Sequence, residues 1–437
     1  MNDTNDTLKL SKNILARKEK KYVFLFEPVT CSVTRMNYNF YTDLINNNIK
    51  ISSNREIYEI LKKQNIIYSE EIIKREELPL NSAYGINNLY SLKGVKAPFL
   101  IIWAITPKCN LDCIYCFPQV NNKKNNFLEL SMKQIDIILK KIIKAQIFHV
   151  TITGGEPLLY RGIWDIFTKL ENSNMKVGIV TNGTILNEDI IEKFSTKYKY
   201  VDISVSLDSI NSEVNAITRG EGTLEKTLLF VKTFIKFCKF LSISITLNRY
   251  NYETLEETID ILKKMKITHF NIADLKPFEK KNYDKIKLTK TQQLEIKDKI
   301  LKLIDLNKDI YINPTELLIF SMLEENKEQK IMKCPAGGSV GYIDFKGNFY
   351  PCTQLPTFCL GNLLEKNSIL SLWRTSENRK NLLKLKNMNI SEIKQCNECE
   401  RKLFCDGGCR GEALWFSGNI LGLSPNCPNI GEYYDKK

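Results

Sequence analysis

Within residues 21–91, the spacing of apolar residues is first that of strands and then that of helices. Two short runs, Tyr22–Phe26 and Ser32–Met36, predict two strands. Two helical patterns follow, with apolar faces formed by Tyr41, Leu44 and Ile45 in the first and by Ile57, Ile60 and Leu61 in the second. Ser53 and Glu56 fit a capping box at the start of the second helix. The pattern predicts a small module of a hairpin and helices.

Strands and helices alternate between Pro98 and about Asp274. The strand-like runs are Phe99–Ile105, His149–Thr153, Val177–Thr181, Val201–Ser206, Ser242–Leu247 and His269–Ala273. The helical patterns are Met132–Ala145, Ile163–Leu170, Glu188–Phe194, Leu224–Phe237 and Leu255–Met265. Ser131 and Gln134 fit a capping box before the first of these helices. This rhythm predicts an α/β fold with a parallel sheet, either open and doubly wound or a partial (β/α)6 TIM-like barrel.

The remaining chain predicts a connector, a long helix and a cysteine-rich end. Glu279–Lys290 is polar and rich in lysine, and Gln292–Leu306 has a long helical pattern. The last block, Cys334–Cys427, shows little periodicity and holds eight of the thirteen cysteines, so we expect metal to replace a hydrophobic core there. We expect domains at 1–95, 96–280, 281–333 and 334–437, the last a Cys-rich iron–sulfur domain.

Composition narrows the class of protein. With 43% apolar residues, no apolar run of membrane-spanning length and no hydrophobic signal segment, the chain is expected in the cytoplasm and not in a membrane. The net charge of +13 comes mostly from lysines that follow helices, which indicates solvated faces rather than a nucleic-acid site, although an acidic peptide would be attracted to them. Only two histidines accompany the thirteen cysteines, which disfavours mixed Cys/His zinc sites.

The most specific chemical feature is a group of three cysteines directly after the first strand of the sheet. Cys109, Cys113 and Cys116 are spaced C-x3-C-x2-C. Three thiolates on one loop can ligate three irons of a 4Fe–4S cube and leave the fourth iron open. A structural zinc site is the alternative, but it normally needs four ligands.

This spacing, with an aromatic residue before the last cysteine, resembles the signature of the radical SAM superfamily. Three further motifs end later strands, namely Gly-Gly-Glu-Pro, Thr-Asn-Gly and Ser-Leu-Asp, and an arginine in Thr-Arg-Gly matches a position of that family. The resemblance implies that S-adenosylmethionine contacts Gly154, Gly155, Glu156, Thr181, Asn182, Ser206, Asp208 and Arg219. Within this set, it pairs Glu156 with the methionine amino group and Arg219 with the methionine carboxylate. No catalytic acid or base is indicated.

A second group of cysteines is similar to the SPASM pattern of radical SAM peptide-modifying enzymes. Cys334 is followed by twelve residues, Gly347, four residues and Cys352, and then comes C-x2-C-x5-C-x3-C-x17-C from Cys396 to Cys427. A zinc ribbon would explain only the middle four of these cysteines. The resemblance implies an outer auxiliary cluster on Cys396, Cys399, Cys405 and Cys427. It implies an inner auxiliary cluster on Cys334, Cys352 and Cys409.

A count of ligands leaves one question open. Three 4Fe–4S clusters, one with an iron open for S-adenosylmethionine, need eleven thiolates, and the two motifs supply ten. Either Cys359 is the eleventh ligand or the inner auxiliary cluster has an iron open to a substrate thiol. Cys31 and Cys238 have no motif around them and are expected to be small buried apolar residues.

The combined resemblance implies an enzyme that matures ribosomally made peptides. A 5′-deoxyadenosyl radical would abstract hydrogen from a precursor peptide, and a sactipeptide- or ranthipeptide-type thioether cross-link would follow. The N-terminal module resembles the winged-helix-like domain that captures a leader peptide, and a flavodoxin or ferredoxin would supply electrons. The alternatives are an anaerobic sulfatase-maturing, formylglycine-forming enzyme, a carbon–carbon cross-linking or cofactor-precursor enzyme, and a non-catalytic zinc-binding protein.

Overall fold

A computed structural model describes residues 8–11, 14–28, 32–64, 66–67, 95–116, 128–276, 280–313, 334–386, 392–399 and 407–427. The N-terminal part is a three-stranded antiparallel sheet with two helices. Its elements are β1 (Leu15–Lys18), β2 (Tyr22–Glu27), β3 (Ser32–Asn37), α1 (Tyr38–Ile45) and α2 (Arg55–Lys63), with the strands in the order β1-β2-β3. Both predicted strands are confirmed, and β1 is an addition to them.

The predicted capping box of the second helix is wrong. Helix α2 begins after Asn54 rather than Ser53, and the side chain of Asn54 makes no capping hydrogen bond. The predicted apolar face is also mostly exposed, since Ile57 and Ile60 are 37% and 50% exposed and only Leu61 is buried. Ile57 and Ile60 therefore form an exposed apolar surface, whereas Leu61 belongs to the core of the N-terminal module.

The two faces of β2 bury into different cores. Val23 and Leu25 pack into the core of the N-terminal module, whereas Phe24 and Phe26 pack against Phe99 and Phe148 of the main sheet. This follows from the alternation of side chains along a strand. The module therefore docks at the residues that precede two strands of the main sheet.

Arg17 of β1 strengthens this junction. Its side chain is fully buried and donates to the carbonyls of Pro98 at 2.8 Å and Ala97 at 3.2 Å. Its guanidinium lies 3.7 Å from the ring centroid of Phe99 and pairs with Glu19 at 3.2 Å. These partners offset part of the cost of burying the charge, because burial still outweighs Glu19 and lowers the pKa of Arg17 to about 9.

The main sheet contains the six predicted parallel strands in sequence order. They are β4 (Leu100–Thr106), β5 (His149–Gly154), β6 (Lys176–Thr181), β7 (Asp202–Ser206), β8 (Leu241–Leu247) and β9 (His269–Asp274). The helices between them are α3 (Met132–Lys144), α4 (Ile163–Glu171), α5 (Glu188–Thr196), α6 (Ser212–Arg219), α7 (Thr223–Phe234) and α8 (Leu255–Lys264). The capping box at Ser131 is confirmed, since its amide donates to the Gln134 side chain at 2.9 Å.

The sheet is larger than predicted because strands from the later chain extend both of its edges. Helices α9 (Lys280–Ile286) and α10 (Lys290–Leu306) precede β10 (Tyr311–Asn313), which pairs with β9. At the other edge lie β11 (Val340–Ile343), β12 (Asn348–Tyr350) and β13 (Gly361–Asn362), of which β11 pairs in parallel with β4. The order is β10-β9-β8-β7-β6-β5-β4-β11-β12-β13. The result is an open, mixed, partial barrel.

The expectation that metal replaces a hydrophobic core in the last block is wrong for its first part. Ile343, Phe349, Leu363 and Trp373 are fully buried members of the main core. These residues lie in segments that are too short for a regular spacing of apolar residues to be visible in the sequence. The remaining helices of this block are α11 (Ile369–Thr375), α12 (Glu377–Lys386) and α13 (Arg410–Ser417).

Two helices of the main body escaped the sequence analysis. Asn211 caps α6 by accepting from two amides at 3.1 Å, and Gly220 ends this helix with φ +109°. Helix α9 lies inside the predicted polar connector, because its Tyr283 and Ile286 are buried beside Leu275. Among the described residues, no helix is long and apolar enough to cross a membrane.

Candidate active site

Three cysteines share a loop at the C-terminal end of β4. The amide of Cys116 donates to the carbonyl of Cys113 at 3.0 Å, and the amide of Leu111 donates to the sulfur of Cys109 at 3.4 Å. The three thiols interact electrostatically with one another, and burial, followed by the two neighbouring thiols, raises the pKa of Cys116 to about 12. Three thiols on one loop can ligate three irons of a 4Fe–4S cluster, because metal binding replaces the thiol protons, although no three metal-binding side chains are already gathered into a metal site among the described residues.

Two glycines bring the end of β5 against the base of this loop. The amide of Gly155 donates to the carbonyl of Thr106, and the amide of Glu156 donates to that of Lys108, each at 2.7 Å. A Cβ atom on Gly155 would lie 2.0 Å from the Lys108 oxygen, and Gly154 has a φ of +144°. The loop's own backbone therefore requires glycine at both positions.

The carboxylate of Glu156 connects the ends of β5 and β6. It is fully buried and accepts from the amide of Leu158 at 3.0 Å, the hydroxyl of Thr181 at 2.8 Å and the amide of Asn182 at 2.7 Å. Burial raises the pKa of Glu156, and these three hydrogen bonds oppose the rise. A carboxylate has about four acceptor positions, so one remains for a further donor.

Asn182 extends this network to the cysteine loop. Its side-chain nitrogen donates to Asn110 at 2.9 Å and lies 3.9 Å from the sulfur of Cys109. Its side-chain oxygen accepts from the amide of Thr184 at 2.9 Å. Thr181 and Asn182, predicted as ligand contacts, thus lie with Glu156 directly against the loop.

A second buried network contains Tyr115, Asp208 and Arg219. The hydroxyl of Tyr115 donates to Asp208 and accepts from Arg219 at 2.8 Å, while Arg219 lies 3.9 Å from the Asp208 carboxylate. Burial alone would lower the pKa of Arg219, but Tyr115 and Asp208 outweigh it and the pKa rises. The structure thus brings a buried cation and anion together beside Cys113.

The contacts of Tyr115 with Asp208 and Arg219 were not predicted from the sequence, where Tyr115 is only the aromatic residue before Cys116. Helix α6, whose last residue is Arg219, was not predicted either. The cap at Asn211 and the glycine at position 220 were the available signals. Ser206, the remaining predicted contact, is partly buried at the end of β7, in register with Ser244 of β8.

The later cysteines fall into two groups. The thiols of Cys334 and Cys352 interact with each other and pack among Ala336, Leu355 and Leu414. Burial, and then the Cys334 thiol, raises the pKa of Cys352 to about 11. This pair belongs to the expected inner set, whose third member, Cys409, directly precedes α13.

The second group contains Cys396, Cys399 and Cys427. The thiol of Cys396 interacts with those of the other two, and burial, followed by Cys427, raises its pKa. These are members of the expected outer set, of which Cys405 lies outside the described residues, as does Cys31. Cys238 packs partly buried against the main core.

Comparisons with known protein families match the first cysteine motif and the first part of the second, from Cys334 to Cys399. Residues 103–262 match the radical SAM superfamily, and residues 334–400 match the SPASM iron–sulfur cluster-binding domain. This chain is a radical SAM enzyme with a SPASM domain. The two domains imply a 4Fe–4S cluster, S-adenosylmethionine and auxiliary clusters as cofactors.

Relatives of this radical SAM enzyme differ from one another in activity. Mycofactocin maturase MftC of Mycolicibacterium smegmatis is 27% identical over 77% of this chain and 84% of its own length. The AdoMet-dependent heme synthase of Methanosarcina barkeri is 25% identical over 76% of this chain and 96% of its own. The Streptococcus suis SuiB structure with the precursor peptide SuiA has a TM-score of 0.70, covering 96% of this chain and 99% of that one at 20% identity. The last likeness concerns the fold alone.

The candidate site thus lies at the C-terminal ends of β4 to β8. Cys109, Cys113 and Cys116 would hold a 4Fe–4S cluster there, which would supply the electron for reductive cleavage of S-adenosylmethionine. The chain itself orients the cysteine loop through Gly155, Glu156 and Asn182, and buries a cation and an anion at Arg219 and Asp208. Such fixed charges in a buried site interact strongly with a charged ligand.

Proposed function

We propose that this radical SAM enzyme modifies a ribosomally made peptide and forms a thioether cross-link in it. Cys109, Cys113 and Cys116 hold the cluster, and the resulting 5′-deoxyadenosyl radical removes hydrogen from a carbon of the peptide. The observation that carries the proposal is the ion pair between Lys276, just beyond β9, and Glu412 of α13, with 2.5 Å between Nζ and Oε1. It joins α13, which directly follows Cys409, to the C-terminal ends of the parallel strands, where the three-cysteine loop also lies.

The predicted contacts to S-adenosylmethionine belong to this proposal. Glu156 has one acceptor position left for the methionine ammonium, and Arg219 carries the charge that suits the methionine carboxylate. The remaining contacts come from Gly154, Gly155, Thr181, Asn182, Ser206 and Asp208. Their positions at the ends of neighbouring parallel strands support this assignment.

The thioether bond is proposed from the ligand count of the inner auxiliary cluster. Cys334, Cys352 and Cys409 hold it with three thiolates and leave one iron for the acceptor thiol. The Cys359 thiol donates to the carbonyl of Gly361 at 3.9 Å, close to Asp344 and Tyr350, which supports leaving it out of the ligand set. Cys396, Cys399, Cys405 and Cys427 hold the outer cluster, and the auxiliary clusters supply an acceptor for the electron released by bond formation.

Peptide capture is assigned to the N-terminal module. Among the described strands, β3 is an edge of its sheet, and an edge strand can pair with an added peptide strand. Exposed apolar side chains lie on the same module, on α2 at Ile57 and Ile60. The solved complex of SuiB with its precursor peptide, whose fold covers 96% of this chain, supports a peptide substrate.

Other reactions in the same superfamily are the main alternatives. The likeness to a heme synthase supports a cofactor-precursor substrate, and a sulfatase-maturing or carbon–carbon cross-linking reaction would use the same radical. The N-terminal module favours a peptide over a small molecule. A zinc-binding protein without catalysis would be colourless and contain zinc instead of iron and sulfide.

Mass spectrometry of a modified peptide tests the proposal. The reconstituted enzyme is incubated anaerobically with S-adenosylmethionine, a reductant and a cysteine-containing precursor encoded beside its gene. A thioether predicts the loss of two hydrogens and of one thiol that iodoacetamide can alkylate. Loss of two hydrogens with every thiol retained would instead indicate a carbon–carbon bond or an oxidised serine, and loss of sulfur would indicate formylglycine formation from cysteine.

A further inference from the structure

A buried polar network joins the end of β9 to the last cysteine-bearing segment. Glu412, in the first turn of α13, is fully buried. One of its oxygens accepts from Lys276 at 2.5 Å, and the other accepts from the hydroxyl of Ser424 at 3.2 Å and the side-chain amide of Asn426 at 3.0 Å. Both oxygens of this buried carboxylate are therefore hydrogen-bonded, as burial of a charge requires.

This network lies among cysteines from three segments of the SPASM domain. Glu412 is three residues after Cys409, and Asn426 directly precedes Cys427. Leu414, on the same helix as Glu412, packs in one cluster with Cys334 and Cys352. The ion pair thus places one positive and one negative charge beside the inner set of cysteines.

A separate apolar contact also joins the chain after β9 to α13. Tyr283 of α9 packs with Ile114 of the cysteine loop and with Phe416 of α13. The rings of Tyr283 and Phe416 have centroids 6.5 Å apart and an interplanar angle of 69°, an edge-to-face arrangement. Because this contact does not depend on Lys276, a change of charge there should leave α13 in place.

We propose that Lys276 and Glu412 are positioning residues that set the reduction potential of the auxiliary iron–sulfur centre at Cys334, Cys352 and Cys409. The inference rests on the assignment of these cysteines in the proposed function. Reduction adds a negative charge to the centre, so the Lys276 ammonium favours the reduced form and the Glu412 carboxylate disfavours it. In a largely buried site such charges are weakly screened, which makes their effect measurable.

Two neutralising variants test the sign of this effect. Lys276→Met should lower the midpoint potential of one auxiliary centre, and Glu412→Gln should raise it. We expect about a tenfold change in the ratio of reduced to oxidised centre at fixed potential, equal to 59 mV for one electron. The readout is an anaerobic redox titration followed by electron paramagnetic resonance. Lys276→Arg, which keeps the charge, should restore the potential.

A control variant removes an ion pair elsewhere whose lysine is about as exposed as Lys276. Lys263 of α8 pairs with Asp309 at 2.8 Å, and its side chain is 32% exposed, against 31% for Lys276. Lys263→Met should leave both auxiliary potentials unchanged. If Glu412→Gln does not hold iron, the Lys276→Met and Lys276→Arg variants decide alone.

The outcomes separate this inference from the proposed function. Equal potentials in Lys276→Met and the wild type, or shifts of the same sign in Lys276→Met and Glu412→Gln, would overturn the inference. Wild-type enzyme that holds no iron beyond the first cluster would instead refute the assignment of the auxiliary cysteines. Opposite shifts, with the control unmoved, would establish the electrostatic role.

Discussion

At the residue scale, the site depends on a carboxylate that its own chain holds in place. Glu156 accepts three hydrogen bonds from β6 and from the turn after β5, and is fully buried. The free energy of these charge-assisted bonds therefore contributes both to the shape of the site and to its charge. Binding and folding must be measured separately when this residue is changed.

Glu156→Gln should weaken S-adenosylmethionine binding by about 1–3 kcal/mol, because the proposed hydrogen bond from the methionine ammonium would lose the negative charge of its acceptor. The dissociation constant comes from anaerobic titration, with the midpoint of thermal unfolding measured beside it. Thr181→Val removes a hydroxyl that donates to the same carboxylate and accepts from the amide of Gly183, and it should cost about 1.5–3 kcal/mol of stability. An unchanged dissociation constant for Glu156→Gln would limit the carboxylate to a structural role.

Cys359→Ala should retain all three clusters and nearly full cross-linking. Its thiol contacts the carbonyl of Gly361 rather than completing the ligand set in our proposal. Iron and sulfide analysis, with electron paramagnetic resonance, measures the result, and Cys352→Ala serves as the variant that should lose the inner cluster. Loss or conversion of an auxiliary cluster in Cys359→Ala would make Cys359 the eleventh ligand.

The sequence singled out the polar residues of the site but not the residues with which they form hydrogen bonds. The motifs single out Glu156, Asp208 and Arg219 because local spacing identifies them. The contact of Tyr115 with Arg219 joins residues 104 positions apart and depends on α6, so no local pattern contains it. Long-range networks of this kind become visible only once the strand order is known.

At the element scale, the six parallel strands were predictable and the edges of the sheet were not. Strands β4 and β6 appear in the sequence as nearly continuous apolar runs, whereas β7, β8 and β9 alternate apolar and polar residues, and both patterns predict strands. Strands β10 to β13 have only two to four residues each, too few to establish a period. Helix α9 is amphipathic only through Tyr283 and Ile286, and tertiary packing decides its structure.

The opposite ends of the parallel strands hold a buried histidine whose charge should govern acid stability. His149 of β5 is fully enclosed, and burial, with a smaller effect from Lys176 of β6, lowers its pKa to about 3. Below the unfolded-state pKa of about 6.5 the unfolded chain binds the proton and the folded chain does not. This histidine therefore stabilises the fold least at low pH, and its contribution is lost as pH falls from 6.5 toward 3.

The free energy of unfolding should fall by up to about 1.4 kcal/mol per pH unit from this one group. Denaturant unfolding of wild type and His149→Gln at a series of pH values below 6.5 isolates the contribution, since other titrating groups are common to both. The stability of the wild type relative to His149→Gln should fall as pH falls, whatever the cost of the substitution at neutral pH. Parallel curves would show that the pKa of His149 is not lowered in the folded protein.

At the scale of the whole molecule, the N-terminal module, for which we propose peptide capture, and the cysteine loop lie at opposite ends of the parallel strands. The module packs on Phe99 and Phe148, which precede β4 and β5, whereas the loop follows β4. Strand β4 has seven residues and spans about 23 Å. Deleting the module would also expose the rings of Phe99 and Phe148, so changes in the peptide are the cleaner test.

A captured leader must therefore reach the site through a spacer. An extended chain spans at most about 3.3–3.6 Å per residue, so at least about seven residues should separate the leader contact from the modified residue. In a series of shortened precursors, binding should persist while modification, measured by mass spectrometry, stops below that length. Modification at the full rate with a spacer of two or three residues would place capture elsewhere.

The central claim is that Cys109, Cys113 and Cys116 hold the cluster that cleaves S-adenosylmethionine. The most direct measurement is the formation of 5′-deoxyadenosine under dithionite by the variant with all three cysteines replaced by alanine. Cys238→Ala, which changes a cysteine outside both motifs, is the control and should keep full activity. We predict that the triple variant forms no 5′-deoxyadenosine while iron and sulfide remain on the SPASM cysteines; undiminished cleavage would contradict the account.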